Sequence, residues 1–180
     1  MKKKSLILIG ILLLSISTTH VFAEDSDLIS KIDKILSKGP ELDNYHVTAM
    51  QVGKWIKDGK TDFQVIDVRM PPEVGKWGRP EFGRVPGSIY IPYTELFRPE
   101  NLKKLPKDKK LILVGHMSVY ENYLVVPLRL IGHEAYIMLM GMSGWQKDYP
   151  AVGHVNMLIN AAKKMDFPLE KEAEQGSMHH

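Results

Sequence analysis

Apolar residues recur at the spacing of an α-helix in five segments of the chain. This spacing places the apolar side chains of each segment on one helical face. Glycine residues end the first two segments, as is common for helices, and Pro127 lies inside the third, which it should kink or shorten. The predicted helices cover residues 26–37, 48–59, 119–131, 141–150 and 154–165.

Four shorter apolar runs lie between the second and the fourth of these helices and predict β-strands. They cover residues 63–68, 88–92, 111–115 and 134–139. The runs are mostly continuous, which is typical of strands that are buried on both faces. Because strands alternate with helices, the sequence predicts the α/β fold class, with a mainly parallel sheet and helices on both faces. The length of 180 residues suits one such domain with short extensions.

The first 23 residues have the organisation of a secretory signal peptide. Three lysines follow Met1, residues 5–17 form an apolar core, and Val21 and Ala23 precede the expected cleavage site. The alternative is an uncleaved transmembrane anchor, but a membrane span needs about 20 apolar residues and this run is shorter. We therefore expect cleavage after Ala23 and a periplasmic or secreted protein.

Removal of this segment changes the charge balance of the chain. The whole chain has a formal charge of +3, and three of its 24 basic residues leave with the signal peptide, so 21 basic residues remain against 21 acidic ones. This balance does not indicate a basic surface for nucleic acid or anionic lipid. The chain contains no cysteine, which excludes disulfides and thiolate metal sites.

Four motifs follow one another along the chain. They are VIDVR (65–69), GRVPGSIYIP (83–92), LILVGHMSVYENYLVVPLRLIG (111–132) and HEAYIMLMGMSGW (133–145). In this order they resemble the rhodanese-like domain family, over about residues 45–150. The resemblance implies a five-stranded, mostly parallel sheet with an active loop after the strand LILV. In active members, a cysteine at the start of this loop accepts sulfane sulfur from thiosulfate or a persulfide and passes it to a thiol.

By this resemblance, Gly115 occupies the position of the sulfur-carrying cysteine. Sulfur transfer needs a thiolate, which glycine cannot supply, so we expect no catalytic residue and no transfer by the family mechanism. The loop amides at a helix N-terminus are expected to keep an affinity for anions, unless His116 or Tyr120 folds into the space and closes it. The predicted ligand-binding loop consists of Gly115, His116, Met117, Ser118, Val119 and Tyr120.

Four further residues are predicted to flank this loop. Asp67 and Arg69 leave a strand at its C-terminal end, where ligands gather in open α/β sheets. The alternative is that they form a structural pair that holds the loop. Arg84 stands where the resemblance implies a frequent histidine. Trp77 lies in an unusually long insertion and is expected either to cover the pocket or to pack on the domain.

The methionines near the loop raise a second hypothesis. Met138, Met140 and Met142 alternate in the sequence, so they are predicted to project to one side of the last strand. Together with His116 and Met117, they would offer thioether and imidazole ligands for copper(I) or haem iron. The alternative is that the methionines only fill the core. No other cofactor is expected.

These observations predict an exported, catalytically inactive rhodanese-like domain that acts as an accessory binding module. Its expected partner is a small oxyanion, a sulfur compound or a periplasmic protein, with no nucleic acid and no membrane anchor after cleavage. The alternatives are a sulfur-handling protein that uses a partner's thiol and a periplasmic copper or haem carrier. The expected limits are 1–23 for the signal peptide, 24–44 for a helical extension, 45–153 for the rhodanese-like domain and 154–180 for a C-terminal helix with a disordered tail.

Overall fold

The structure is a computed structural model that describes residues 25–70, 83–165 and 167. The predicted signal peptide, Trp77 and most of the predicted C-terminal tail lie outside the described residues. The first described element is a helix, α1, over residues 25–38.

Five parallel strands form one sheet at the centre of the domain. The strands are β1 (His46–Val47), β2 (Phe63–Asp67), β3 (Ile89–Tyr90), β4 (Lys110–Val114) and β5 (Ala135–Met138), in the spatial order β1-β5-β4-β2-β3. The predicted α/β fold class with a parallel sheet is confirmed. Because β4 pairs with β2 on one side and with β5 on the other, the residues that follow β4 leave from the middle of the sheet.

Helices and 3-10 segments connect these strands. After α1 come α2 (Ala49–Lys57), α3 (Pro99–Leu102), α4 (Asn122–Leu130), α5 (Gly141–Trp145) and α6 (Ala151–Ala162), with 3-10 segments at Gly39–Tyr45 and Tyr93–Glu95. Thr48 caps α2, since its hydroxyl accepts a hydrogen bond from the Gln51 amide at 3.1 Å. In return, the Gln51 side chain accepts one from the Thr48 amide at 2.7 Å, which completes a capping box.

The core has two parts, which lie on opposite faces of the sheet. Alternate residues of β4 divide between them: Leu111 and Leu113 belong to one cluster, and Ile112 and Val114 to the other. All four side chains are fully buried. Burial on both faces explains why this strand is a continuous apolar run in the sequence.

Several predicted elements have different limits in the structure. Helix α4 begins at Asn122 and not near residue 119, because the preceding residues form the loop after β4. The predicted helix 141–150 ends at Trp145, and α6 begins at Ala151. The apolar face of α1 packs only in part: Ile35 contacts the core, while Leu28, Ile29 and Leu36 are exposed.

Candidate functional site

The candidate site is the loop of residues 115–121, between β4 and α4. The register pairs Asp67 of β2 with Val114 of β4, so the loop begins beside the C-terminal end of β2. Both strands point their C-terminal ends at this edge of the sheet, which is where parallel α/β sheets gather their functional groups. The loop therefore lies where the two neighbouring strands β2 and β4 end, which is the position that the sequence predicts for it.

The side chain of Glu121 fills the space beside Gly115. The Gly115 amide donates a hydrogen bond to Oε1 of Glu121. A Cβ atom added to Gly115 would lie 2.6 Å from the Glu121 carboxyl carbon and 2.6 Å from Oε2. The backbone of Gly115 does not have the left-handed conformation that requires glycine. Space alone, and not backbone geometry, thus excludes a side chain at this position.

Glu121 is an unusual acid because its side chain has no contact with solvent. The residue has 0% exposure, and among the described residues no group donates a hydrogen bond to Oε2. Burial raises the pKa of the Glu121 carboxyl to about 7, because the charged form loses its hydration. Backbone amides act in the opposite direction and offset part of this rise. They are those of Glu121 itself, Gly115, Ser118 and Tyr120.

The carbonyl groups on the other side of the loop are held by α5. The Met142 amide donates to the Gly115 carbonyl at 2.8 Å, and the Ser143 amide and hydroxyl both donate to the His116 carbonyl, at 3.1 and 2.7 Å. Gly141 makes this approach feasible, since a Cβ there would lie 2.5 Å from the Gly115 carbonyl oxygen. The start of the loop is therefore fixed on both sides.

The remaining loop residues differ in burial and contacts. The Ser118 hydroxyl donates to the Met138 carbonyl at 3.0 Å, and Ser118 has a left-handed φ of 61°. Met117 is half-buried against the core, whereas Val119 is 45% exposed. The Tyr120 ring stacks on Tyr93, with 4.6 Å between the ring centroids. These contacts hold the loop to β5 and to the segment after β3.

His116 is the second residue of this loop, and its side chain is buried. Burial lowers the pKa of its imidazole, and the charge of Arg69 lowers it further. Nδ1 of His116 has no hydrogen-bond partner within the described part of the chain. The imidazole packs edge-on against Tyr120, with 5.4 Å between the ring centroids. The group that lies against Gly115 is the Glu121 carboxyl. The sequence predicted that His116 or Tyr120 would lie there if the space were closed, and neither of them does.

Asp67 and Arg69 form a fully buried ion pair beside the loop. Nε of Arg69 donates to Oδ1 of Asp67 at 2.9 Å, and Nη2 donates to Oδ2 at 2.6 Å. The guanidinium also donates to the Gly83 carbonyl at 2.6 Å and to the Tyr149 hydroxyl at 3.4 Å. The pair thus joins the end of β2 to two other segments. Arg84, by contrast, is exposed.

The methionines do not form the row that their spacing predicts. Strand β5 ends at Met138, Met140 has a left-handed φ of 62°, and Met142 lies in α5. Met138 and Met142 are buried in one core cluster, while Met140 is 37% exposed. In the part of the chain that the structure describes, no three His, Asp or Glu side chains group as a potential metal site. Copper or haem binding stays a prediction.

Sequence reasoning missed Glu121, although the sequence contains a signal. Glu121 is an acid in a mainly apolar run, six residues after the glycine that replaces the expected cysteine. The predicted helix start at residue 119 would place this acid on the first helical turn. The loop instead continues to residue 121 and directs the side chain back towards Gly115.

The chain is similar to known proteins. A family model for the rhodanese-like domain matches residues 48–148. The chain is similar to a rhodanese-like domain protein from Staphylococcus aureus, with 24% identity over 56% of this chain and 90% of that chain and a TM-score of 0.48. It is also similar to a rhodanese-related protein from Thermoplasma volcanium, with 27% identity over 58% of this chain and 94% of that chain and a TM-score of 0.47.

No curated protein matches the chain. The family model nevertheless covers more than half of the sequence, and its limits enclose β2, β3, β4, β5 and the loop of residues 115–121. The chain belongs to the rhodanese-like domain family.

Proposed function

We propose that this protein is an exported rhodanese-like domain that carries out no sulfur transfer and acts as an accessory module that binds a protein partner. The observation that carries the proposal is the arrangement of Gly115 and Glu121. The position that a sulfur-carrying side chain needs is filled by a carboxyl group, and a Cβ there would lie 2.6 Å from it.

The chemistry of the loop supports the absence of sulfur transfer. The chain has no cysteine, and no other side chain forms a stable persulfide. A sulfur-handling role with a partner's thiol requires that thiol to reach the loop amides. The Glu121 carboxyl already lies against the first of these amides, so this alternative also requires Glu121 to move.

The surface of the loop supports a protein partner over a small ligand. The Glu121 side chain fills the interior of the loop. Val119, in the loop, is 45% exposed, and Tyr123, in the first turn of α4, is 68% exposed. Exposed apolar and aromatic side chains of this kind are common where one protein binds another. The balanced charge of the chain after residue 23 disfavours nucleic acid as the partner.

Export rests on the sequence of residues 1–23, which lie outside the described residues. None of the helices in the described ranges is long and apolar enough to cross a membrane. N-terminal sequencing of the protein from an exporting host tests this part of the proposal: we expect the chain to begin at Glu24.

A thiosulfate-to-cyanide sulfur-transfer assay tests the absence of catalysis. We compare the wild-type protein with Gly115→Cys and with Gly115→Cys combined with Glu121→Ala. The wild type should show no turnover above a blank that contains an unrelated protein. The single cysteine variant should be inactive or unstable because the carboxyl group occupies the space, whereas the double variant should gain activity. Steady turnover by the pure wild type would overturn the proposal.

A further inference from the structure

Helices α1 and α6 each carry an apolar face that the single chain leaves exposed over much of its length. We propose that α1 of one copy packs antiparallel on α6 of a second copy, in two equivalent contacts that make the protein a two-fold dimer. This dimer goes beyond the proposed function, since neither helix belongs to the loop of residues 115–121.

The apolar face of α6 is packed at its first turn and exposed beyond it. Ala151 is buried in a core cluster, and Val152 packs against the same cluster. The face continues at Val155, which is half-buried, and at Leu158 and Ile159, which are exposed, Leu158 by 52%. The helix contains no Lys, Arg, Asp or Glu. A helix as apolar as this is normally covered by another element, and a contiguous exposed apolar face marks an interaction site.

Helix α1 has the reverse arrangement, because its C-terminal end is attached and its N-terminal part is exposed. Ile35 packs against the core cluster on the other face of the sheet, and the Tyr45 hydroxyl donates a hydrogen bond to the Ile35 carbonyl. Ile32 is half-buried, whereas Leu28 and Ile29 are exposed, Ile29 by 65%. The sheet separates the attachments of α1 and α6, so a second copy supplies the cover that each helix lacks in its own chain.

The spacing of the two apolar faces matches when the helices run antiparallel. Ile29 precedes Ile32 by three residues, and Leu158 follows Val155 by three residues, which is close to one helical turn in both helices. When Ile32 lies beside Val155, Ile29 therefore lies beside Leu158. The two most exposed parts of the faces then cover each other.

The charges at the ends of the helices are complementary in the same arrangement. Asp25 and Asp27 lie in the first turn of α1, where Asp27 also pairs with Lys31 of its own helix. Lys163 and Lys164 directly follow α6 and are exposed, as Asp25 is. An antiparallel contact brings these acids to these lysines, and it places the opposite ends of the two helix dipoles side by side. This complementarity within one sequence favours a second copy as the occupant.

Sedimentation velocity of the protein purified from an exporting host tests the dimer. We expect wild type to change from monomer to dimer between about 1 and 100 µM. Ile29→Asp and Leu158→Asp should each weaken dimerisation at least about tenfold, since each variant places a carboxylate in both contacts. The matched control is Leu139→Asp, because Leu139 is 47% exposed and lies outside both helices. It should change the dissociation constant by less than about twofold.

A mixture of the two weakened variants identifies the contact. Their heterodimer contains one unaltered contact between α1 and α6, so the mixture should dimerise at least about threefold more tightly than either variant alone. If α1 packed on α1 and α6 on α6, every contact would contain an altered helix and mixing would restore nothing. A mixture that dimerises no better than its components overturns the proposal, as does a wild type that is monomeric at about 100 µM.

Disulfide cross-linking provides a second measurement if an aspartate variant does not fold, because the chain has no cysteine of its own. Ile29→Cys combined with Leu158→Cys should give a covalent dimer on mild oxidation, whereas Ile29→Cys combined with Leu139→Cys should stay monomeric. A folded first variant that gives no covalent dimer overturns the proposal. A monomeric wild type that sediments with vesicles of anionic phospholipid would also overturn it and assign the apolar faces to a membrane surface.

Discussion

The close fit of Gly115 against Glu121 makes the effect of one added methyl group calculable. In Gly115→Ala, the Cβ would lie 2.6 Å from two atoms of the Glu121 carboxyl group and 2.7 Å from the third. Overpacking of this kind costs about 1–3 kcal/mol. Moving the carboxyl group away removes its hydrogen bond to the Gly115 amide instead, which costs about 1.5–3 kcal/mol for a charged group.

These two costs are alternatives, because a movement that relieves the overlap also breaks the bond. Alanine also reduces the freedom of the unfolded chain, which stabilises the protein by about 0.4–1 kcal/mol where the backbone permits it, as it does at residue 115. We therefore expect Gly115→Ala to lower the free energy of unfolding by about 1.5 kcal/mol, the cost less this gain. In a Glu121→Ala background, the same substitution should instead raise the free energy of unfolding by about 0.4–1 kcal/mol, since the overlapping atoms are gone and only the effect on the unfolded chain remains.

Urea unfolding followed by tryptophan fluorescence measures all four members of this cycle. Gly153→Ala is the matched control, because Gly153 lies in α6 and no atom comes within 4 Å of the added Cβ. It should stabilise the protein by about 0.5–1 kcal/mol, equally with and without Glu121. The reasoning fails if Gly115→Ala has the same cost in both backgrounds, or if that cost is below about 0.5 kcal/mol in the wild type.

Three further predictions follow from the same contacts. Because burial raises the pKa of Glu121 from 4.5 to about 7, the folded state keeps a proton that the unfolded state has lost, and the free energy of unfolding should fall by about 3 kcal/mol from pH 4.5 to pH 7. Relative to wild type, Glu121→Gln should lack this fall in urea titrations across that range; parallel curves would contradict the assignment. Gly141→Ala should cost about 2–4 kcal/mol in urea unfolding, since its Cβ would lie 2.5 Å from the Gly115 carbonyl oxygen at a φ of +49°; a near-neutral result would mean that α5 moves freely. Arg69→Ala should cost about 3–5 kcal/mol because it leaves the Asp67 carboxylate buried without its partner, and a melting temperature equal to that of wild type would refute this.

The parts of the fold that the sequence predicts are those that local physics determines. Residues 111–114 of strand β4 are all apolar because both faces of the strand are buried. Strand β1 was not predicted: His46 and Val47 alone show no periodicity, and only their pairing with β5 makes them a strand. The left-handed residues just before β1 are equally invisible to periodicity.

The sequence predicts that the loop lacks a cysteine, but it does not predict the contact between Glu121 and Gly115. Gly115 suggests the loss of a thiol and an empty space, because a glycine says nothing about what lies next to it. A buried, unpaired acid is rare, so an acid within an apolar run predicts an exposed position and not the filling of that space. The two positions depend on each other. The Glu121 side chain fits only because residue 115 has no side chain, and a cysteine at residue 115 fits only if the Glu121 side chain is absent. A single substitution of Gly115 with cysteine therefore leaves the Glu121 carboxyl group in the space that the new side chain needs, and a cysteine at this position requires a change at both residues.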